Sequence, residues 1–153
     1  MKVNIKKLSP TAKIPTKGTY ASAGYDLYAD IFAENVKGKI MVSSIRPHET
    51  IKVKTGITLE IPEGYFGAIF ARSGLATNHG LRPANCVSVI DSDYRGEIID
   101  PLHNDTNLIQ VFSHHDRIAQ LIILPYLSIE FNEVSKLSTT NRSEGGFGST
   151  GKE

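Results

Sequence analysis

Apolar residues recur at every second position in several short runs along this chain. Val3 and Ile5 alternate with Asn4 and Lys6, the pattern of a half-buried strand. The clearest run spans Ile51–Ile61, where Ile51, Val53, Thr55, Ile57, Leu59 and Ile61 keep step and Gly56 predicts a bulge or bend. Strands are also predicted over Tyr65–Phe70, Ile98–Leu102, Leu108–Phe112, Ile118–Leu124 and Tyr126–Phe131. The turn Asn104-Asp-Thr-Asn107 is expected to join Ile98–Leu102 and Leu108–Phe112 as a hairpin. Val87, Val89 and Ile90 read as the end of a buried strand that runs into a polar turn closing at Gly96. Small residues in Ala21–Ala29 allow close backbone approach around Asp26, and Arg72–Gly80 fits a single helical turn.

No stretch holds a helical period for long. Many short strands and tight turns predict an all-β sandwich or barrel, with no internal repeat and no second globular domain. Beyond Asn132 the large apolar residues thin out. The expected organisation is therefore a β-barrel domain over residues 1–137 and a mobile, glycine-rich arm over 138–153.

A chain of 153 residues can bury a core without disulfides. Its formal net charge of +1 gives no reason to expect nucleic acid or an anionic membrane as partner. The one cysteine, Cys86, lies in an apolar run and reads as a small buried residue and not a nucleophile. A lone cysteine fits a reducing compartment, and with no hydrophobic leader at the N-terminus the expectation is a soluble, cytoplasmic protein.

Five groups of residues carry candidate chemistry. Asp91 and Tyr94 follow a strand directly, where a carboxylate can take a proton from water and a ring can pack on a small ligand. The competing structural reading is an Asx turn with a tyrosine at the core edge. Arg72-Ser-Gly74 offers charge, a hydroxyl and open backbone. Asp26 sits among small residues and Gln120 is a polar group within an apolar strand. In the arm, Arg142, Phe147 and the glycines around them can wrap an anion, although composition alone favours a floppy terminus. Gly146 to Lys152 has the spacing of a phosphate loop, but Glu153 and the chain end follow where a hydroxyl and a helix are needed. His114-His115-Asp116 suggests a metal site only weakly, because adjacent histidines on a turn are expected to point apart.

Taken together, Ala23-Gly-Tyr-Asp-Leu-Tyr28, Arg72-Ser-Gly-Leu75, Val89-Ile-Asp-Ser-Asp-Tyr-Arg-Gly96, Asp116-Arg-Ile-Ala-Gln-Leu121 and Arg142 through Gly151 resemble, in order, the five motifs of the trimeric dUTP diphosphatases (dUTPases). The resemblance covers nearly the whole chain. It implies a jelly-roll-like β-barrel, a homotrimer with sites shared between subunits, and hydrolysis of dUTP to dUMP and pyrophosphate. It further implies that Asp91 is the general base and that Tyr94 packs on the deoxyribose. Asn85 and the backbone of Val87–Ile90, Val89 and Ile90 among them, would bind uracil, and Ile99 counts with the substrate-binding residues. Arg72, Ser73, Gly74 and Gln120 would contact phosphates. Arg142, Gly148, Ser149 and Thr150 would close over the nucleotide with Phe147 stacked on the base. Asp26 would act through water on a Mg²⁺ chelated by the triphosphate. Arg95 and Arg117 are expected to form ion pairs and not to touch substrate.

The chain departs from the family's usual pattern at four positions. Ser88, His115 and Ser143 stand where glycine is usual, and Ala71 stands where proline is. If position 88 needs a positive φ, serine there costs on the order of 1 kcal/mol and crowds the base. Two rival readings share the fold. Ammonia release from dCTP would mark a deaminase, and tight nucleotide binding without turnover would mark a non-catalytic sensor.

Overall fold

The structure is a computed structural model, and it describes residues 1–31 and 42–146. The chain runs through β1 (Asn4–Lys7), β2 (Tyr25–Tyr28), β3 (Val42–Ile45), β4 (Thr50–Lys54), β5 (Ile57–Glu60) and β6 (Tyr65–Ala71). It continues through α1 (Ser73–His79), β7 (Leu81–Pro83), β8 (Val87–Ile90), β9 (Ile99–Asn104), β10 (Gln110–Ser113) and β11 (Arg117–Pro125). The strands form four sheets, ordered β1-β5, β10-β3, β2-β11-β6-β8 and β4-β9-β7. All the pairings are antiparallel. The fold is all-β, and the described strands do not hydrogen-bond into one closed barrel.

The core collects the inward positions of these strands, among them Leu27, Ile45, Ile57, Ile69, Leu81, Ile98, Leu102 and Ile118. Alternation predicted β1, β6 and the start of β11 well, and the helical turn after Arg72 is α1. Five expectations need correction.

Ile51–Ile61 is two strands, not one. At Gly56, φ is 66°, and a Cβ there would meet the Asp30 carboxylate and lie 2.8 Å from Ala12 Cβ. The chain turns this corner so that β4 pairs with β9 and β5 pairs with β1.

The hairpin over 98–112 is absent, since β9 pairs with β4 and β7 while β10 pairs with β3. Asn104 is the reason: fully buried, its amide donates to Ile45 O at 3.1 Å, Arg46 O at 3.0 Å and Leu108 O at 2.8 Å. These bonds hold a corner between sheets where a two-strand turn was expected.

Tyr126–Phe131 forms no strand. Leu127 and Phe131 are 88% and 90% exposed, because β11 already reaches the end of its pairing with β6 at Pro125 and Tyr65.

β8 faces the opposite way from its reading as a buried strand. Val89 is 59% exposed while Ser88 is buried, since the register Ile69↔Ser88 turns Ser88 toward the core. Cys86 likewise is exposed, because it occupies the turn before β8 with φ 62°.

Candidate active site

The strand order of the largest sheet decides where the candidate residues meet. Asp26 on β2 lies in register with Gln120 on β11. Gln120 donates to Ala71 O at 2.8 Å, next to Arg72 at the end of β6. Arg72 Nε then reaches Asp26 Oδ1 at 2.8 Å, and Arg117 Nη1 reaches Asp26 Oδ2 at 3.2 Å. These side chains line a polar cleft of about 450 Å³ together with Ser73, Gly74, Gly18 and Ser22. Two guanidiniums, the first-turn amides of α1 with no partner within the helix, and a carboxamide make a receptor for a polyanion.

Arg117, Gly18 and Ser22 were not among the substrate-binding residues read from the sequence. Arg117 does form the expected ion pair, but it is half exposed in the cleft. The loop before β2 returns to the site through the Thr16↔Asp26 bridge, a contact that strand periodicity does not reveal.

Asp26 is the one carboxylate lining this cleft, and each of its oxygens is held by an arginine. That donor set does not make a cage for a hard cation. It suits an ion that arrives on a ligand's phosphates and meets Asp26 through water.

Asp91 and Tyr94 lie elsewhere in the chain. Asp91 is exposed just past β8, in a second cleft of about 450 Å³ with Ile61, Glu63, Ser92, Asp93, Arg95 and Tyr126. From Asp26 the path to Asp91 crosses three strand spacings and four residues along β8, or roughly 20 Å at strand geometry. The ring of Tyr94 lies over Gly96, where any Cβ would strike it, and its hydroxyl donates to Glu97 O at 3.1 Å. Arg95 Nη1 donates to Ser92 O at 2.6 Å and Tyr94 O at 3.0 Å, so it holds the turn as expected.

Asn85 is exposed in the tight turn that leads into β8. Cys86 N donates to Pro83 O at 3.1 Å and Val87 N to Asn85 O at 2.7 Å. β8 is an edge strand, so one side of Val89 and Ile90 keeps backbone donors and acceptors off the ladder. Ile99 is on β9 and lines neither cleft. Arg142 Nε donates to Gly145 O at 2.8 Å within its own exposed turn. Phe147, Gly148, Ser149 and Thr150 lie outside the described residues.

The departures at glycine positions resolve differently from expectation. Ser88 sits in a regular strand, while the positive φ values fall at His115 (70°) and Ser143 (46°). His115 and His114 do not point apart; their rings stack with centroids 3.6 Å apart. The cluster with Asp30 is nonetheless satisfied without a metal. His114 Nδ1 accepts from Ile31 N at 3.1 Å, His115 Nε2 lies 2.7 Å from Thr11 O, and Asp30 accepts from Ser9 and Thr11. Burial, then the neighbouring imidazole, lowers the His114 pKa.

Among the described residues no helix is long and apolar enough to cross a membrane. The dUTPase family model matches residues 10–151. The chain is similar to the deoxyuridine 5'-triphosphate nucleotidohydrolase of Anaplasma marginale (strain St. Maries), at 42% identity over 153 residues and 99% of both chains. It is 44% identical over 151 residues to the enzyme of that name from Finegoldia magna, again over 99% of both. Its fold is similar to that of a point mutant of the Staphylococcus bacteriophage 80alpha dUTPase solved with dUpNHpp, with a TM-score of 0.85, 26% identity and 98% of each chain covered. With the arginine cleft, the Asp91 turn and a family match across almost its full length, the chain belongs to the dUTPase family.

Proposed function

We propose that this protein hydrolyses dUTP to dUMP and pyrophosphate, at a site that copies of the chain build together. The family match over residues 10–151 carries this reading. Asp91 takes the proton of a water as the oxygen attacks the α-phosphorus in line, and the bond to the bridging oxygen breaks to release pyrophosphate. Arg72, Ser73, Gly74 and Gln120 hold the phosphates, and Tyr94 packs against the deoxyribose. The free edge of β8 at Val89 and Ile90, with Asn85, takes the uracil, and Ile99 supports that pocket. Asp26 would hold, through water, a Mg²⁺ that arrives with the substrate, and that ion would supply neutralisation of phosphate charge.

The assembly is a homotrimer of jelly-roll-like barrels in the cytoplasm. A base roughly 20 Å from the anion cleft of its own chain needs the cleft of a neighbour. The exposed Leu127, Ile129 and Phe131 also give a second copy apolar surface to cover. The domain over 1–137 carries the clefts. The arm over 138–153 closes the site, with Arg142, Ser149 and Thr150 on the γ-phosphate, Gly148 beside it and Phe147 on the base. Closure excludes water and aligns the reactants.

Pyrophosphate release from each deoxynucleoside triphosphate tests the reading, with dUTP expected as the one good substrate. Asp91→Asn should lower turnover at least a hundredfold while dUTP binding survives in calorimetry. A variant that keeps most of its rate removes Asp91 as base. In the same assay, deleting 138–153 should cut turnover and leave the melting temperature in place.

A further inference from the structure

Ser88 is buried on β8, and its hydroxyl donates to Asn85 Oδ1 at 3.0 Å. Asn85 itself is exposed, on a turn whose backbone is pinned on both sides by the Cys86 and Val87 amides. We infer that Ser88 is a positioning residue that fixes which way the Asn85 carboxamide faces, and so adds to the selection of uracil over cytosine. The inference rests on the proposed function and deepens it.

An asparagine amide can present its donor and acceptor in either order by turning half a revolution about its last torsion. In one order the NH₂ meets the uracil carbonyl at C4 and the oxygen meets the N3–H. In the other it matches cytosine, whose donor and acceptor are exchanged at those two places. A freely turning Asn85 would serve both bases. The buried Ser88 hydroxyl breaks the symmetry because its proton needs an acceptor, and Asn85 Oδ1 is its acceptor among the described residues. Turning the amide would set NH₂ against that hydroxyl and strand a buried donor. Oδ1 keeps a second lone pair for the base, so the bond to Ser88 does not compete with uracil. The family usually has glycine here, so the hydroxyl adds a margin to the discrimination that the β8 backbone supplies.

The test is Ser88→Ala, with Ser88→Gly removing the same hydroxyl as a second variant and Ser88→Thr keeping it. The readouts are kcat and KM for dUTP and the Ki of dCTP as a competitor, which is measurable even where dCTP is not turned over. In the Ala and Gly variants the ratio of dCTP Ki to dUTP KM should fall about fivefold, with kcat within about twofold of the parent. The Thr variant should keep the parent ratio. A ratio unchanged by Ala and Gly overturns the inference and leaves the function standing. A parent protein without dUTP turnover overturns both.

Discussion

Asp100 is fully buried on β9, opposite Val53, and neither of its carboxyl oxygens has a hydrogen-bond partner among the described residues. Desolvation raises its pKa from 3.8 to about 7, so the folded protein holds a proton that the unfolded chain gives up above about pH 4. Stability from this group is therefore complete in acid, falls as pH climbs from about 4 to about 7, and is flat above that. Asp100→Val removes the group and suits a strand position. In urea unfolding at fixed protein concentration, the stability gain of Asp100→Val over the parent should grow by about 3 kcal/mol between pH 5 and pH 8. A gain that does not change with pH would show that the carboxyl is ionised or solvated in the folded state. The same residue-scale logic explains the glycine departures. His115 keeps a positive φ while its ring bonds to Thr11 O and stacks on His114. Ser88 needs no such conformation, so its identity is free to serve a side-chain role.

Among the elements, Asn104 has the widest reach. Besides its three donated bonds, its Oδ1 accepts from Thr106 N at 2.9 Å and Thr106 Oγ1 at 2.8 Å. One side chain thus fastens the end of β3, the turn after it and the entry to β10. Asn104→Ala would leave several buried backbone groups unpaired and should cost about 3 kcal/mol or more, read as a shift in the urea midpoint. A loss under about 1 kcal/mol would mean that the corner is held by strand pairing alone.

This residue also marks the limit of what the pattern could reveal. Alternation reports which face of a strand is buried, and it placed β6 and most of β11 within a residue or two. It does not report which strand is the neighbour, so two runs separated by a polar turn read as a hairpin when Asn104 sends them to different sheets. Tyr126–Phe131 has strand composition, yet its own chain offers it no ladder. The site shows the same split. Asp26, Arg72 and Gln120 were legible from their motifs and do converge. Gly18 and Ser22 join them through a loop-to-strand bridge that has no periodic signature, and Arg117 joins them from the first position of β11.

For the whole molecule, the separation of the Asp91 turn from the arginine cleft has a consequence that single-chain variants cannot test. If the base of one copy serves the cleft of its neighbour, two inactive proteins should repair each other. Asp91→Asn keeps an intact cleft, and Arg72→Ala keeps an intact base. Unfolded together in equal amounts and refolded, they should form assemblies with both kinds of chain if the proposed trimer holds. A working site then needs Arg72 from an Asp91→Asn subunit beside Asp91 from an Arg72→Ala subunit. Random assembly supplies each with even odds, so about a quarter of the parent activity should return. Each variant refolded alone controls for leakage, and native mass spectrometry reads whether mixed assemblies have formed. Mixed assemblies that stay inactive would put Asp91 and Arg72 to work within one chain. That outcome requires the turn after β8 to swing across the sheet to Asp26, a movement that its pairing with β6 through Ile90↔Gly67 opposes.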